Sequence, residues 1–397
     1  MNSTSPTSNW NYPTAVRFGA GRIAELAQLC RQHGILRPLL VTDAGLAAAP
    51  MTLAALQSLR ADGLEAAIFS DLKSNPIGSS LQAGLVAYKA GNHDGVVAFG
   101  GGSGIDMGKL IAFMSGQSRP IWDFEDIGDW WTRADPDGIA PIIAVPTTAG
   151  TGSEVGRAGV LTDESTHTKK IIFHPKMLPR VVICDPELTL GMPARITAGT
   201  GMDAFSHCLE AYCAPGFHPL ADGIAVEGMR LIARALPRVV ADPSDLEARA
   251  LMMAAAAMGA TAFQKGLGGM HALAHPIGAL YDTHHGMTNA TLMPYVLEFN
   301  RSAIEERIRR VAAYLELPDV SFEGFLQFVL ELRSLAGVPH TLRELGLDDT
   351  QAKLIVEMAL ADPSASGNPV PLDQAALEKI FAAAYSGNLQ ARSSRQR

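Results

Sequence analysis

Histidine is concentrated in one short part of the sequence. Four of the eleven histidines fall within 15 residues, namely His271, His275, His284 and His285. His271 and His275 are four residues apart and share one face if the segment is helical. Upstream, Asp203 and His207 have the same spacing. Imidazole and carboxylate groups favour Fe, Zn, Co or Ni over Mg or Ca, so the spacing indicates a candidate metal site. The alternative is that each pair is an ordinary hydrogen-bonding pair on a helix.

A second candidate site is rich in glycine. The apolar run DGVVAF leads into Gly100–Gly104, and a helical stretch follows. Glycines let a backbone approach a ligand closely, and a helix N-terminus offers unpaired N–H groups to an anion such as a pyrophosphate. The G-x-G-x-x-G spacing of the usual dinucleotide-binding fingerprint is absent. A structural turn with Ser103 as helix cap and Asp106 three residues later therefore stays open as the alternative.

Hydroxyl and carboxylate side chains follow two other apolar runs. The segment 145–156, VPTTAGTGSEVG, places threonines and a serine among glycines, and Asp43 closes the run LLVT. At the carboxyl ends of parallel strands, hydroxyls can bind a nucleotide and a carboxylate can accept hydrogen bonds from a ribose. The alternatives are a plain connecting loop at 145–156 and a helix-capping role for Asp43.

The elements that must position these residues differ between the two halves of the chain. Short apolar runs predict buried strands at 37–45, 64–70, 94–103, 142–150 and 180–188. Helical spacing at 23–34 and 79–92 separates them, which is typical of a parallel sheet covered on both faces. After residue 190 the sequence is rich in helix formers. We therefore predict a parallel-sheet α/β domain at 1–190 and an all-helical domain at 191–397.

Composition narrows the class of protein. The chain has 397 residues, 18% of them charged and 47% hydrophobic, which is typical of a compact globular protein of two or three domains. A net charge of −8 argues against nucleic acid or an anionic membrane as partner. The four cysteines are too few and too irregular for a disulfide framework. Neither a signal peptide nor a transmembrane run is recognised, so a cytoplasmic protein is expected.

Together these segments resemble the iron-containing (group III) alcohol dehydrogenase family over nearly the whole chain. The matching motifs are GGGS-x-x-D-x-x-K at 100–109, PTTAGTGSE at 146–154, D-x-x-x-H-x-x-E at Asp203, His207 and Glu210, and GLGGMHALAHPIGALYDTHHG at 266–286. The resemblance implies the dehydroquinate synthase-like architecture. In it, 1–190 would be a Rossmann-like, dinucleotide-binding domain and 191–397 a helical metal-binding and catalytic domain, with the active site in the cleft between them.

The resemblance also assigns roles to residues. Its metal ligands fall on Asp203, His207, His271 and His285, and His275 becomes the active-site histidine near nicotinamide and substrate. Its cofactor contacts fall on Asp43, Asn75, Gly102, Ser103, Thr147, Thr148, Thr151 and Lys169. Gly101, in the same turn as Gly102, is assigned to the cofactor site with them. The family pattern differs here at Ala158, Ala262, His284 and Ser364, positions that bear on cofactor and substrate rather than on fold.

The function implied is an NAD(H)-dependent oxidoreductase that interconverts a small alcohol and its aldehyde or ketone by hydride transfer. Fe²⁺ is the expected metal, with Zn²⁺ or another divalent ion as the alternative, and NADP is the alternative cofactor. A homo-oligomer, a dimer, is expected. The alternative functions are a dehydroquinate synthase-like or glycerol dehydrogenase-like enzyme of the same superfamily and a non-catalytic binding module. A synthase would need phosphate-binding residues, for which segment 262–290 offers only Gln264, Lys265 and Asn289.

Overall fold

The structure is a computed structural model that describes residues 8–10, 14–72, 75–166 and 168–389. Its strands are β1 Ser8–Trp10, β2 Ala15–Phe18, β3 Pro38–Val41, β4 Ala67–Phe69, β5 Gly95–Gly100, β6 Ile142–Pro146, β7 Ala158–Asp163, β8 Thr168–Phe173 and β9 Val181–Cys184. Its α-helices are α1 Leu26–Gln32, α2 Pro50–Ala61, α3 Gly78–Ala90, α4 Gly102–Met114, α5 Ala194–Cys213, α6 Pro219–Ala241, α7 Leu246–Ala262, α8 Gly269–Tyr281, α9 His285–Tyr314, α10 Phe322–Leu335, α11 Ala352–Ala361 and α12 Gln374–Ser386.

The chain forms two compact units. One consists of Met1–Met192 and Ser244–Thr261, and the other of Pro193–Pro243 and Ala262–Arg397. The first unit contains all the described strands together with most of α7, and the second contains the other helices after residue 192. The predicted fold class, a parallel-sheet α/β part followed by a helical part, is confirmed. Among the described residues, no helix combines the length and apolar character needed to cross a membrane.

The main sheet of the first unit has the order β1-β2-β9-β6-β5-β3-β4. All neighbouring strands are parallel except β1 and β2. From β3 the chain goes outward to β4 at one edge and then returns to β5 on the other side of β3. The loops after β3 and β5 therefore diverge, which makes this point a topological switch where ligands of open α/β sheets bind. Each of the five predicted strand ranges contains one of these strands.

The sequence analysis missed the antiparallel hairpin formed by β7 and β8, in which Thr162 pairs with Lys169. The residues of β7 alternate between half-buried and buried, and most of those of β8 are half-buried. Neither strand has the continuous apolar run that marks a strand buried on both faces.

The helices that matter most in the second unit are α5, α8 and α9. Helix α5 starts after Pro193 and is buried over nearly all of its length. Helix α8 ends at Asp282, whose left-handed φ of 51° stops it. The chain then enters α9 three residues later, with the His284 ring accepting a hydrogen bond from the Met287 N–H. This short connection holds the end of α8 near the start of α9.

Candidate functional site

The second unit brings one carboxylate and three imidazoles together. Asp203 and His207 lie one turn apart on α5, His271 lies in the first turn of α8, and His285 is the first residue of α9. One ligand atom from each of the four lies within 4.8 Å of the other three. The first three residues are buried, and the His285 side chain is 30% exposed. Separate segments of the chain thus converge on a space the size of one ion.

Asn289 shows that this space lacks hydrogen-bond donors. Its Nδ2 atom lies 3.0 Å from Asp203 Oδ1 and 3.1 Å from Nε2 of both His271 and His285. An amide nitrogen carries only two hydrogens, so it cannot serve three converging acceptors at once. A divalent cation would satisfy all of them. The donor set therefore fits a transition metal bound by nitrogen and oxygen.

The protonation state of His271 also suits a metal ligand. Burial, together with the neighbouring His207 and His275, holds the pKa of His271 well below its usual value, so His271 is neutral and has a lone pair to donate. The Nδ1 atom of His207 is buried and has no hydrogen-bond partner among the described residues. Imidazoles bind a metal in their neutral form, so three of them and one carboxylate would leave a bound divalent ion with a net positive charge.

Glu210 connects α5 to the start of α8. Its Oε1 accepts a hydrogen bond from the Met270 N–H at 2.7 Å, and its Oε2 lies 2.7 Å from Nδ1 of His271. The carboxylate thus caps the N-terminus of α8 and accepts a hydrogen bond from the His271 Nδ1–H, which leaves Nε2 available to bind a metal ion. Burial raises the pKa of Glu210 to about 7, against the opposing effect of backbone N–H groups.

Replacing Glu210 with glutamine is expected to weaken metal binding by about 10- to 100-fold. The glutamine amide has one oxygen, whereas Glu210 accepts from two donors, so its NH₂ group must face either the Met270 N–H or the His271 Nδ1–H. Competition with a chelator measures the affinity. Glu154→Gln is the matched control, because Glu154 is equally buried in the other unit. Unchanged affinity in the Glu210 variant would contradict this role.

His275 lies beside the four-residue cluster without belonging to it. Its ring is nearly parallel to that of His285, with centroids 5.5 Å apart, and lies edge-on to His271 at 5.8 Å. Its Nδ1 is 2.8 Å from Oδ2 of Asp362, whose Oδ1 accepts a hydrogen bond from the Ser364 N–H at 2.8 Å. Burial alone would raise the pKa of Asp362, but these hydrogen bonds outweigh it and the pKa is lowered. Asp362 is therefore an ionised partner for His275.

In the first unit, the residues predicted to bind the cofactor lie around the switch point. Asp43 follows β3, and its Oδ1 accepts a hydrogen bond from the Leu46 N–H at 3.0 Å. This bond closes a turn and does not cap α2, whose N-cap is Ala49, so the helix-capping alternative for Asp43 is wrong. Its other oxygen, Oδ2, faces the turn after β5, residues 100–104, which we call the glycine turn. A Cβ added at Gly100 would lie 3.7 Å from this oxygen. One carboxylate oxygen therefore holds the turn at Leu46, and the second points towards the glycine turn.

The glycine turn packs closely against the loop after β6, residues 147–156, which we call the threonine loop. The Thr147 N–H donates to the Gly100 carbonyl at 2.9 Å, and a Cβ at Gly102 would lie only 2.7 Å from Cγ2 of Thr151. Gly101 is the N-cap of α4 and Ser103 lies within its first turn, so the alternative with Ser103 as the cap is wrong. The loops after β5 and β6 thus bring Gly101, Gly102, Ser103, Thr147, Thr148 and Thr151 to one edge of the sheet.

Two charged residues of the GGGS-x-x-D-x-x-K motif, Asp106 and Lys109, fix the threonine loop through hydrogen bonds. Lys109 is buried and donates to Oγ of Ser153 at 2.7 Å and to the Ala158 carbonyl. Asp106 pairs with Lys109 at 3.1 Å, bonds the Ser153 hydroxyl and accepts from the Val160 N–H. The sequence analysis considered Asp106 only in the helix-capping alternative and gave Lys109 no role beyond the motif, whereas the structure shows both fixing the loop.

The remaining predicted cofactor residues, Asn75 and Lys169, come from neighbouring segments. Ile77 forms a bridge with Thr162, which pairs with Lys169 in the β7–β8 hairpin. The Thr162 N–H also donates to the Pro76 carbonyl at 2.7 Å. The hairpin missed by the sequence analysis therefore brings the segment after residue 75 next to Lys169.

A glycine turn at the switch point of a parallel sheet, together with a helical unit holding three imidazoles and a carboxylate, defines a class of protein. It is that of the dinucleotide- and metal-dependent dehydrogenases, in which the sheet binds the cofactor and the metal activates the substrate oxygen.

The chain belongs to the iron-containing alcohol dehydrogenase family. Residues 13–186 match the family model described as "Iron-containing alcohol dehydrogenase", and residues 197–385 match "Fe-containing alcohol dehydrogenase family, C-terminal". The chain is 39% identical to a 4-hydroxybutyrate dehydrogenase of Cupriavidus necator, over 90% of this chain and 94% of the relative. The resemblance of the motifs to this family is confirmed.

Solved structures agree with this assignment. A 1,3-propanediol oxidoreductase superposes with a TM-score of 0.89 at 35% identity, covering 96% of this chain and all of the other. A sulfoacetaldehyde reductase from Bifidobacterium kashiwanohense, solved in complex with NAD⁺, superposes with a TM-score of 0.85 at 28% identity, covering 97% and 99%. The protein is an oxidoreductase of the alcohol dehydrogenase class, and its family uses NAD and a divalent metal.

Proposed function

We propose that this enzyme interconverts a small alcohol and its aldehyde or ketone at the cluster of the second unit. The convergence of four ligand atoms within 4.8 Å, with His275 beside them, is the observation that carries the proposal. The relatives named for 4-hydroxybutyrate and 1,3-propanediol favour a short primary alcohol with a second oxygen group as substrate. When bound, the divalent ion supplies Lewis-acid polarisation of the substrate oxygen and the nicotinamide carries the hydride.

The chain's own residues have three tasks in this proposal. Asp203, His207, His271 and His285 hold the ion and fix its position. Glu210 holds the His271 ring through Nδ1, on the side away from the ion. Asn289 lies against Asp203 Oδ1 and the Nε2 atoms of His271 and His285. His275 exchanges the substrate proton with solvent, for which its 23% exposed side chain has access to water.

The proposed division of labour follows the two halves of the sequence. Residues 1–190 bind NAD(H) at the switch point, and residues 191–397 bind the metal and the substrate. The proposed cofactor residues are Asp43, Asn75, Gly101, Gly102, Ser103, Thr147, Thr148, Thr151 and Lys169. Packing of the two glycines against the threonine loop supports a close backbone approach to a pyrophosphate.

A synthase acting on a phosphorylated sugar acid is the second candidate, and the structure disfavours it. Lys265 is 2% exposed, pairs with Asp222 and bonds the Tyr212 carbonyl, so its charge is already used. Asn289 is occupied with the atoms of the metal cluster. The deciding experiment follows absorbance at 340 nm with NADH and a panel of small aldehydes, with and without added Fe²⁺ or Zn²⁺. No NADH oxidation under any of these conditions would contradict the dehydrogenase proposal.

Cofactor preference should depend on the charge of Asp43. Asparagine at this position keeps the hydrogen bond from the Leu46 N–H, because both side chains cap turns well, but removes the repulsion of a 2′-phosphate. We expect Asp43→Asn to lower KM for NADP(H) by about tenfold, which corresponds to about 1.4 kcal/mol. Asp43→Gly should also raise KM for NAD(H) and lower the melting temperature. Unchanged KM values for both cofactors in both variants would remove Asp43 from the ribose site.

Location and assembly complete the proposal. The four cysteines are free and buried, which supports a reducing cytoplasm as the site of action. We propose a homodimer, which light scattering coupled to size-exclusion chromatography would test directly.

A further inference from the structure

We propose that Asp362 is a positioning residue that holds His275 in the tautomer with the proton on Nδ1. The inference rests on the proposed function, in which His275 exchanges the substrate proton, and it adds a residue to that site. Asp362 comes from the 3₁₀ turn after α11 and is 87 positions from His275 in the sequence. Its role is to fix which nitrogen of the ring is available to the proton in transit.

The geometry leaves one consistent assignment. Both oxygens of Asp362 lie 2.8 Å from a nitrogen, Oδ1 from the Ser364 backbone and Oδ2 from Nδ1 of His275. An ionised carboxylate only accepts hydrogen bonds, so Nδ1 must carry a hydrogen and Nε2 must carry the lone pair. Asp362 thereby selects Nε2 as the acceptor atom of the ring.

A purely structural role for Asp362 makes a different prediction. The residue also caps the 3₁₀ turn Pro363–Gly367 through the Ser364 N–H, so its loss could act on folding alone. Asparagine separates the two roles, because its single oxygen can retain the cap. Its NH₂ group must then face Nδ1 of His275, which would have to become an acceptor. The variant Asp362→Asn is therefore expected to move the ring proton to Nε2 while the turn stays capped.

The test combines a spectroscopic and a kinetic measurement on Zn²⁺-loaded protein labelled with ¹⁵N-histidine. Long-range ¹H–¹⁵N spectra report which ring nitrogen of His275 is protonated, with His275→Ala used to assign the signal. We expect Nδ1 protonation in the wild type and Nε2 protonation in Asp362→Asn. The kcat of the variant should fall by about 10- to 100-fold, part of the effect available to a general acid–base group, with KM for the cofactor unchanged. Asp373→Asn is the matched control, since Asp373 caps α12 in the same way.

A double-variant cycle decides whether Asp362 acts through His275. In the His275→Ala background, adding Asp362→Asn should cause no further loss of kcat. An additive loss, an unchanged tautomer, or loss of zinc from Asp362→Asn would each overturn the positioning role. Wild-type kcat in His275→Ala would instead overturn the proton role of His275 in the proposed function, so the two failures are distinguishable.

Discussion

Replacing His271 with alanine is expected to abolish tight metal binding and to lower kcat by a factor on the order of 10³. The ring supplies one of four converging ligand atoms, and it is the one that Glu210 orients from the other side. Without it, Asp203, His207 and His285 remain, and no neighbouring imidazole replaces the missing one without moving. Because the ion binds the folded chain, the wild type should also gain melting temperature with added metal, and the variant should not.

The experiment is a reconstitution. Chelated protein receives Fe²⁺ under anaerobic conditions or Zn²⁺ in air, and metal content, melting temperature and NADH-dependent activity are measured together. The matched control is His340→Ala, which removes an exposed imidazole of the same unit that is not one of the four converging residues. The control should recover one ion per chain, and Asp203→Ala should behave like His271→Ala. Full activity in metal-free wild type would refute the Lewis-acid role, and the enzyme would then be a metal-independent reductase.

Local spacing in the sequence accounts for much of the cluster. Asp203 and His207 are one helical turn apart, and His285 is one turn before Asn289, so the i, i+4 rule that pointed to the first pair also applies to the second. The sequence analysis considered Asn289 only as a phosphate ligand, although this spacing was a usable signal. Glu210 follows His207 by three residues on the same helix and was recognised only as part of a motif.

Other features depend on the tertiary fold and have no local signal. The spacing of His271 and His275 is symmetrical, and only the resemblance suggested which of them is the ligand. In the structure His271 faces the ion site because Glu210 lies behind it, whereas His275 is bonded to Asp362. Asp362 lies in a short 3₁₀ turn in a different part of the sequence. No periodicity in the chain predicts that a capping aspartate of such a turn contacts His275, the proposed proton carrier.

In the α/β part as well, hydrophobic patterning predicted some elements and missed others. Continuous apolar runs predicted the parallel strands β3, β4, β5, β6 and β9, and hence the edge at which Asp43, the glycine turn and the threonine loop meet. They did not predict β2, which pairs parallel with β9. The half-exposed β7–β8 hairpin had no such signal, yet it carries Lys169. Buried Lys109 also falls outside what hydrophobic patterning detects, because a buried lysine is rare unless its charge is paired. Its partners Asp106 and Ser153 come together only when α4 packs beside the loop after β6.

Replacing His275 with alanine should lower kcat by about 10²–10⁴-fold, the usual contribution of general acid–base catalysis, and leave metal content unchanged. The ring lies 5.5 Å from His285 and is not one of the four converging ligands, so its loss removes a proton carrier and not a metal ligand. The pH dependence of kcat should flatten, because the proposed proton carrier is gone. Small amines such as imidazole added to the assay should restore part of the rate, since they can carry the proton across the space that the ring leaves.

His284→Ala is the matched comparison. His284 caps α9 through the Met287 N–H, so its replacement should lower the melting temperature with a smaller effect on kcat. If His275→Ala lost its metal as completely as His271→Ala, the ligand and the proton carrier would have to be exchanged in the proposed mechanism.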